Sequence, residues 1–249
     1  MVEIQFTPKV LLVSATQNSG FLRLMSHQIY GVKPSENLVE KLIQRRHTSP
    51  LEFIDTIWYI ECSRVVSHEL VRHRIASYWQ ESQRFVKPEP IFIVPRSLVK
   101  KLGFDKLKQL FETLWKEYDE LTYGCKKFGE DFKQFARYIL PQCIKTRIFA
   151  KFNLRELIEV VLPLRMCRRA LPEFRYITIK MYLSLKQLYP EIVKYTGARC
   201  TVLGYCPELN IKNHELMRKC RVEGYKEAIY EHGTDEEISK IDEIISELP

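Results

Sequence analysis

The 249-residue chain predicts one α+β domain followed by a C-terminal helical extension. Short β-branched and aromatic runs alternate with longer segments whose apolar residues recur every three or four positions. No internal repeat or low-complexity tract interrupts this pattern. We expect the main domain to span residues 1–209 and the helical extension to span residues 210–249.

The predicted strands are short and rich in β-branched and aromatic residues. Lysine, proline and glutamate at residues 87–90 (KPEP) break the regular structure before one of them. The predicted strands are residues 9–15, 53–62, 91–94 and 146–152.

The predicted helices are recognised by apolar spacing and by their caps. Ser35 is the expected N-cap of a helix over residues 37–43, just after Pro34. Thr234 and Glu237 form a capping box that opens a last helix, whose apolar face holds four isoleucines: Ile238, Ile241, Ile244 and Ile245. The other predicted helices are residues 63–74, 97–128 (one helix or a pair), 131–140, 154–161 and 172–188.

Composition narrows the possible function classes. Hydrophobic residues make up 45% and charged residues 28%, which argues against disorder. No apolar run approaches the roughly 20 residues of a membrane span, and no secretory signal is evident, so we expect a cytoplasmic protein without a membrane partner. The net charge of +8 favours polyanionic partners, either nucleic acid or nucleotides and phosphorylated cofactors.

The seven cysteines include no C-x-x-C pair, so a zinc site of the usual spacing is not predicted. Cys200, Cys206 and Cys220 cluster toward the C-terminus and either pair, bind a metal or remain free. No metal site is assigned from the sequence.

The most informative segment is residues 72–85, RHRIASYWQESQRF. It reads R-H-R, then seven residues, then S-x-R. Arginine offers a planar fork of donors to a phosphate or a pyrimidine carbonyl, and serine adds a hydroxyl. We expect R-H-R at the C-terminal end of a helix that opens into a loop. The segment closely resembles the motif of the flavin-dependent thymidylate synthases.

Other segments resemble this family in the same order along the chain, over most of residues 9–209. They are HTSPLE at 47–52, FARYILP at 135–141, NLREL at 153–157, LRMCRRA at 164–170 and CTVLGYCPE at 200–208. The family resemblance implies a largely antiparallel, mixed sheet flanked by long helices. No G-x-G-x-x-G fingerprint follows the first strand, so the flavin is not expected on a Rossmann turn.

The resemblance implies methylation of dUMP to dTMP, with methylenetetrahydrofolate as carbon donor, FAD as hydride carrier and NADPH as reductant. It also implies a homotetramer with active sites between subunits, and no nucleic-acid partner. Arg165 is the expected catalytic residue, stabilising negative charge on the uracil ring. The expected flavin-binding residues are His47, Ser49, Arg72, His73, Arg74, Gln80, Asn153, Arg155 and Glu159. The expected nucleotide-binding residues are Glu69, Arg72, Gln80, Glu81, Ser82, Gln83, Arg84, Arg137 and Arg165.

Several positions depart from the family pattern: Phe53, Glu69, Trp79 and Glu159. One extra residue also separates Arg155 from Arg165. These departures leave an alternative function, a catalytically silent paralogue that serves as a nucleotide-binding or partner subunit. A nucleic-acid-binding protein driven by the charge of +8 is a third hypothesis, which predicts strongly salt-dependent affinity.

Overall fold

A four-stranded antiparallel sheet organises the structure, a computed structural model that describes residues 1–16, 20–31, 33, 35, 37–124 and 132–249. Its strand order is β2-β3-β6-β4, and a separate two-stranded parallel sheet pairs β1 with β5. The predicted α+β class with a largely antiparallel sheet is therefore confirmed. The strands are β1 Glu3–Gln5, β2 Lys9–Ala15, β3 Asp55–Ser63, β4 Ala76–Gln80, β5 Ile91–Ile93 and β6 Lys145–Asn153.

Helices cover one face of this sheet and extend beyond it. The first nine are α1 Gly20–Tyr30, α2 Leu38–Gln44, α3 Arg64–Leu70, α4 Arg96–Leu102, α5 Phe104–Gly124, α6 Phe132–Ala136, α7 Leu154–Glu156, α8 Leu162–Arg165 and α9 Pro172–Leu188. The C-terminal part adds α10 Pro190–Val193, α11 Arg199–Leu203, α12 His214–His232, α13 Asp235–Ser239 and α14 Ile241–Ser246. Short 3₁₀ turns occupy Ser49–Phe53 and Arg137–Ile139, and a π-helical turn at Leu157–Val161 joins α7 to α8.

The two faces of the sheet differ because side chains alternate along each strand. Trp58 and Ile60 of β3 and Ile148 and Phe152 of β6 are fully buried in the main core. Helix α9, which carries the buried Phe174, belongs to the same core. The opposite, outer face remains largely uncovered in the single chain.

Strand β4 is the main difference from the sequence prediction. The helix expected over residues 63–74 begins after its N-cap Ser63 and ends at Leu70. The segment expected as a loop then forms β4, in which Ala76 pairs with Phe152 and Gln80 with Ile148. Local sequence does not identify β4 because its partner strand is more than 60 residues away.

Other helix boundaries also depart from the predictions. Asn37, not Ser35, is the cap position of α2, and it makes no side-chain capping bond. Gly103, with a φ of 87°, divides the predicted helix at residue 97 onward into α4 and α5. The capping box at Thr234 is confirmed, but the last helix is interrupted at Lys240. Residues 125–131, where two predicted helices end and begin, lie outside the described residues.

The C-terminal extension packs against the main core. Tyr225 and Ala228 of α12 are buried with residues of α9. The division after residue 209 stays a prediction. In the described part of the chain, no helix has the length and apolar character needed to cross a membrane.

Candidate active site

The predicted site residues lie at two opposite ends of the four-stranded sheet. We call them the Arg155 end, where β6 finishes and Ala76 begins β4, and the Arg84 end, just beyond Gln80. Strand β4 runs from Ala76 to Gln80, so its first and last residues are about 14 Å apart at about 3.4 Å per residue.

Arg165 lies at the Arg155 end, where three side chains hold its guanidinium. Its Nη1 donates to Oε2 of Glu69 at 2.6 Å, and its Nε donates to Nε2 of His73 at 3.1 Å. The guanidinium carbon also lies 4.7 Å from the ring centre of Phe174, a cation–π distance. The catalytic arginine expected from the sequence is thus rigidly oriented and only partly exposed.

His73, the central residue of R-H-R, is buried and neutral. Burial and, to a lesser degree, the positive charge of Arg165 lower its pKa to about 4. Because Nε2 accepts the bond from Arg165, the proton lies on Nδ1, which faces Oε1 of Glu156 at 3.8 Å. The His73 ring also meets Phe174 edge-on. His73 therefore positions Arg165 and does not act as a second cation.

Tyr78 holds the R-H-R turn in place. Its hydroxyl lies 2.8 Å from the carbonyl oxygen of Leu70 and 2.7 Å from that of His73. It is on the inner face of β4, and its ring packs edge-on against Phe152. Tyr78 thereby fixes the chain between α3 and β4 and carries His73 toward Arg165.

The segment between Arg155 and Arg165, where the family resemblance suggests one extra residue, contains the π-helical turn Leu157–Val161. A π turn closes i→i+5 hydrogen bonds and so contains one residue more than an α-helical turn. Pro163 follows at the start of α8, where its missing N–H is tolerated. The π turn therefore provides a place for the added residue inside the helical segment that carries both arginines.

The Arg155 side chain forms ion pairs with two carboxylates. Its Nε donates to Oε2 of Glu159 at 2.9 Å, and its Nη1 donates to Glu52. These bonds raise the pKa of Arg155, that to Glu159 most of all. Asn153 caps α7 by accepting the backbone N–H of Glu156 at 2.8 Å.

The other residues of the Arg155 end that are expected to bind the cofactor are exposed. Arg72 and Arg74 flank the buried His73, and within the described chain neither pairs with a carboxylate. His47 and Ser49 lie at the start of the 3₁₀ turn that leads to Glu52. Phe53, one of the departures from the family pattern, ends that turn with its ring exposed.

The Arg84 end holds the other expected nucleotide residues. The side-chain oxygen of Ser82 accepts the N–H of Arg84 at 3.3 Å, which shapes a turn that leaves Arg84 exposed. Nε2 of Gln83 is buried without a hydrogen-bond partner. The Nε of Arg137 donates to the carbonyl of Gln134 at 3.1 Å.

Two predicted residues of the Arg84 end, Glu81 and Gln80, form hydrogen bonds with other side chains of the same chain. Glu81 accepts a bond from Nη1 of Arg147 at 2.9 Å. The amide of Gln80 donates to Oγ of Ser67 at 2.9 Å and lies 3.3 Å from Oγ1 of Thr146. Gln80 thus links β4 to α3 on the inner face, between the two ends.

Sequence reasoning missed three contributors to the Arg165 environment: Glu156, Phe174 and Tyr78. Glu156 lies beside Arg155 in the NLREL segment, so the sequence motif itself could have pointed to Glu156. Phe174 and Tyr78 carry no such signal, because an aromatic residue in an apolar segment is typical of any core.

Comparisons with known proteins identify the family of the chain. A family model described as thymidylate synthase complementing protein matches residues 10–191. A flavin-dependent thymidylate synthase of Thermococcus onnurineus (strain NA1) is 40% identical over 190 residues, which are 72% of this chain and 75% of that protein. Another, from Nitratidesulfovibrio vulgaris, is 31% identical over 192 residues, 75% of this chain and 78% of that protein.

A solved structure supports the fold. The UMP/dUMP methylase PolB from Streptomyces cacaoi, bound with 5-Br dUMP, superposes with a TM-score of 0.67 over 78% of this chain and 96% of that chain, at 19% identity. The resemblance identified from the motifs is confirmed. Because the family model covers most of the chain and curated relatives reach 40% identity, the chain belongs to the thymidylate synthase complementing protein family, that of the flavin-dependent thymidylate synthases.

Proposed function

We propose that the chain methylates dUMP to dTMP with FAD as its flavin, methylenetetrahydrofolate as carbon donor and NADPH as reductant. One observation carries the proposal: Arg165 is held between Glu69, His73 and Phe174 beside the R-H-R turn. A guanidinium fixed in a partly dehydrated site stabilises an anion that develops on a bound pyrimidine.

The residues of the Arg155 end fit a flavin nucleotide. Arg72 and Arg74 supply two exposed guanidinium groups without carboxylate partners in the described chain, which suits a diphosphate. Ser49 and His47 add polar groups nearby. The flavin supplies hydride transfer when bound, and the protein supplies orientation and charge.

Arg165 acts on the nucleotide through the donors it directs at the pyrimidine. Its Nε is committed to the neutral His73, and Phe174 fixes the plane of the guanidinium. Glu69 neutralises the group until the pyrimidine competes for the same donors. Arg165 would then favour the anionic form of the ring, in which C5 is nucleophilic.

One chain does not bring all these residues together, which supports active sites shared between subunits. Arg165 lies at the Arg155 end, whereas Ser82 and Arg84 follow the other end of β4, just beyond Gln80. We infer that Ser82 and Arg84 of one subunit bind the nucleotide beside Arg165 of another, within a homotetramer.

The outer face of the sheet offers a surface for that second copy. Leu11, Val13, Phe149 and Trp79 are 46, 55, 37 and 79% exposed there. The rings of Tyr59, Phe149 and Trp79 follow one another, with centroids 5.1 and 6.0 Å apart. Such a contiguous apolar patch is costly in water and is typical of an interaction surface.

The test of the chemistry is tritium release from 5-tritiated dUMP by FAD-loaded protein with NADPH and methylenetetrahydrofolate. We expect release, and we expect Arg165→Ala to slow it by about 100-fold or more, because one preorganised donor is typically worth that much. Arg169→Ala, which removes an exposed arginine four residues further on, is the matched control and retains release. A folded protein with no affinity for FAD would show the proposal to be wrong.

The shared site is tested by mixing two inactive variants, Arg165→Ala and Arg84→Ala, after reversible dissociation. Each variant alone has no intact site. If each site uses the two residues from different chains, random reassembly restores about a quarter of the wild-type sites. No recovery from a mixed oligomer of verified composition would place both residues in one chain.

A catalytically silent paralogue remains the second candidate, and the carboxylates favour it. Glu69 forms an ion pair with Arg165, and Glu52 and Glu159 both form ion pairs with Arg155. In the tritium assay, this candidate predicts FAD binding without release. Substituting Glu69 and Glu159 by glutamine would then increase ligand affinity before any turnover appears.

A further inference from the structure

Four cysteines from separate parts of the chain line a single pocket on the side of α12. Cys167 follows α8, Cys200 belongs to α11, Cys206 follows α11 and Cys220 lies in α12. The other lining side chains include Ile211 and Met217, so the pocket is mainly apolar. The family model ends at residue 191, before three of these cysteines.

The four cysteines line one and the same pocket, so the fold brings together residues that are up to 53 positions apart in the chain. Cys206 is also held rigidly, because its N–H and carbonyl pair with the carbonyl and N–H of Ile211. Among the described cysteines all four are free thiols, without a disulfide.

A cation without a counter-charge faces this cluster. Nη1 of Arg221 lies 3.6 Å from Sγ of Cys200, and its Nε is buried without a hydrogen-bond partner. The two other arginines that line the pocket are paired, Arg168 with Glu223 and Arg199 with Glu208. Within the described chain no carboxylate pairs with Arg221, so a negative charge on the sulfurs would satisfy it.

We propose that Cys167, Cys200, Cys206 and Cys220 form a four-thiolate site for a thiophilic metal centre, either a zinc ion or an iron–sulfur cluster. Both centres are bound by four cysteine thiolates. Binding releases the four S–H protons to solvent and leaves an anionic centre beside Arg221. The site would join α12 of the extension to α8 and α11 of the main domain.

The four thiols are not already arranged around a metal position. A tetrahedral zinc site with Zn–S bonds of about 2.3 Å places its sulfurs roughly 3.8 Å apart. In the described residues no three His, Cys, Asp or Glu side chains already converge on one ion position. Either centre therefore requires the four thiols to move inward when the metal binds.

The test is metal and acid-labile sulfide analysis of full-length protein purified without oxygen and then supplied with Zn²⁺, or with Fe²⁺ and sulfide. We expect about one metal centre per chain. Zinc without sulfide identifies the mononuclear site, and iron with equimolar sulfide identifies the cluster. Protein that stays metal-free after both treatments, with all four thiols reactive, would overturn the proposal.

Matched variants assign the metal to these thiols. We expect Cys206→Ser and Cys220→Ser to lose the metal, while Cys143→Ser, whose thiol lies in the separate core beside β5, retains it. If a variant fails to fold, chelation of the wild type gives a second readout, a lower melting temperature of the metal-depleted protein. FAD affinity measured in parallel separates failure of this site from failure of the proposed function.

Discussion

Nη1 of Arg165 lies 2.6 Å from Oε2 of Glu69, a residue 96 positions earlier in the chain. The arginine expected to act on the pyrimidine is therefore neutralised by a carboxylate from α3. Glu69 stands where the family resemblance suggests glutamine, so a carboxylate lies beside Arg165 where the family pattern suggests a neutral amide. If Arg165 binds the pyrimidine as proposed, the substrate has to displace or share this ion pair.

Glu69→Gln should increase the affinity for dUMP. Glutamine removes the negative charge that competes for Arg165 and retains an oxygen that accepts a hydrogen bond. Because Glu69 is partly exposed, we expect only about a two- to fivefold lower Kd. Calorimetric titration of FAD-loaded protein with dUMP measures this, with Glu236→Gln as the control at an exposed pair far along the chain. A weaker affinity would show that Glu69 itself binds or orients the nucleotide.

Glu159→Gln should increase the affinity for FAD. Glu159 lies four residues after Arg155 and engages its Nε, which leaves less of the guanidinium for a phosphate. The pair is partly exposed, so the expected gain is again about two- to fivefold. Fluorescence titration with FAD measures it, and Glu236→Gln, which breaks another i,i+4 pair, should leave the Kd unchanged. A loss of FAD affinity would indicate that the Glu159 carboxylate contacts the flavin directly.

Glu173→Gln should change how stability depends on pH. Burial raises the pKa of Glu173 to about 7, against the lowering effect of two bonds donated by Ser63. The folded state binds the proton more tightly than the unfolded state, so this group's contribution to the free energy of unfolding falls as pH rises from about 4.5 to about 7. The variant should lack that fall, which is up to roughly 3 kcal/mol.

Urea unfolding of wild type and Glu173→Gln across this pH range measures the difference. The wild type is needed as a reference because the buried His73 and His232 also make stability depend on pH. Their pKa values are lowered to about 4, so they reduce the free energy of unfolding as pH falls below 6.5, which is opposite to the effect of Glu173. Their effect is common to both proteins and cancels. Parallel curves for the two proteins would mean that Glu173 titrates normally.

Trp79→Lys should dissociate the proposed oligomer. The indole is 79% exposed on the outer face of the sheet, so the single chain loses little by its removal. A lysine there would be buried against a second copy at the cost of its hydration. Light scattering after size-exclusion chromatography measures the mass, and Leu110→Lys on the exposed side of α5 is the control. Equal masses for Trp79→Lys and wild type would remove the outer face from the interface.

The sequence by itself determined the family, the α+β class and most of the strands. Strands β2, β3 and β6 are apolar runs whose local composition is sufficient to recognise them. The ordered motifs around Arg72, Arg137, Arg155 and Arg165 needed no structure, because their spacing is a property of the chain alone.

The tertiary structure decided what these residues contact. Strand β4 exists through pairing with β6, and the bonds from Arg165 to Glu69 and His73 join segments more than 90 residues apart. The same pairing puts Arg84 and Arg165 at opposite ends of the sheet, although both belong to the motif set. Long-range register and packing set these relationships, and a linear pattern carries no information about which charges they bring together.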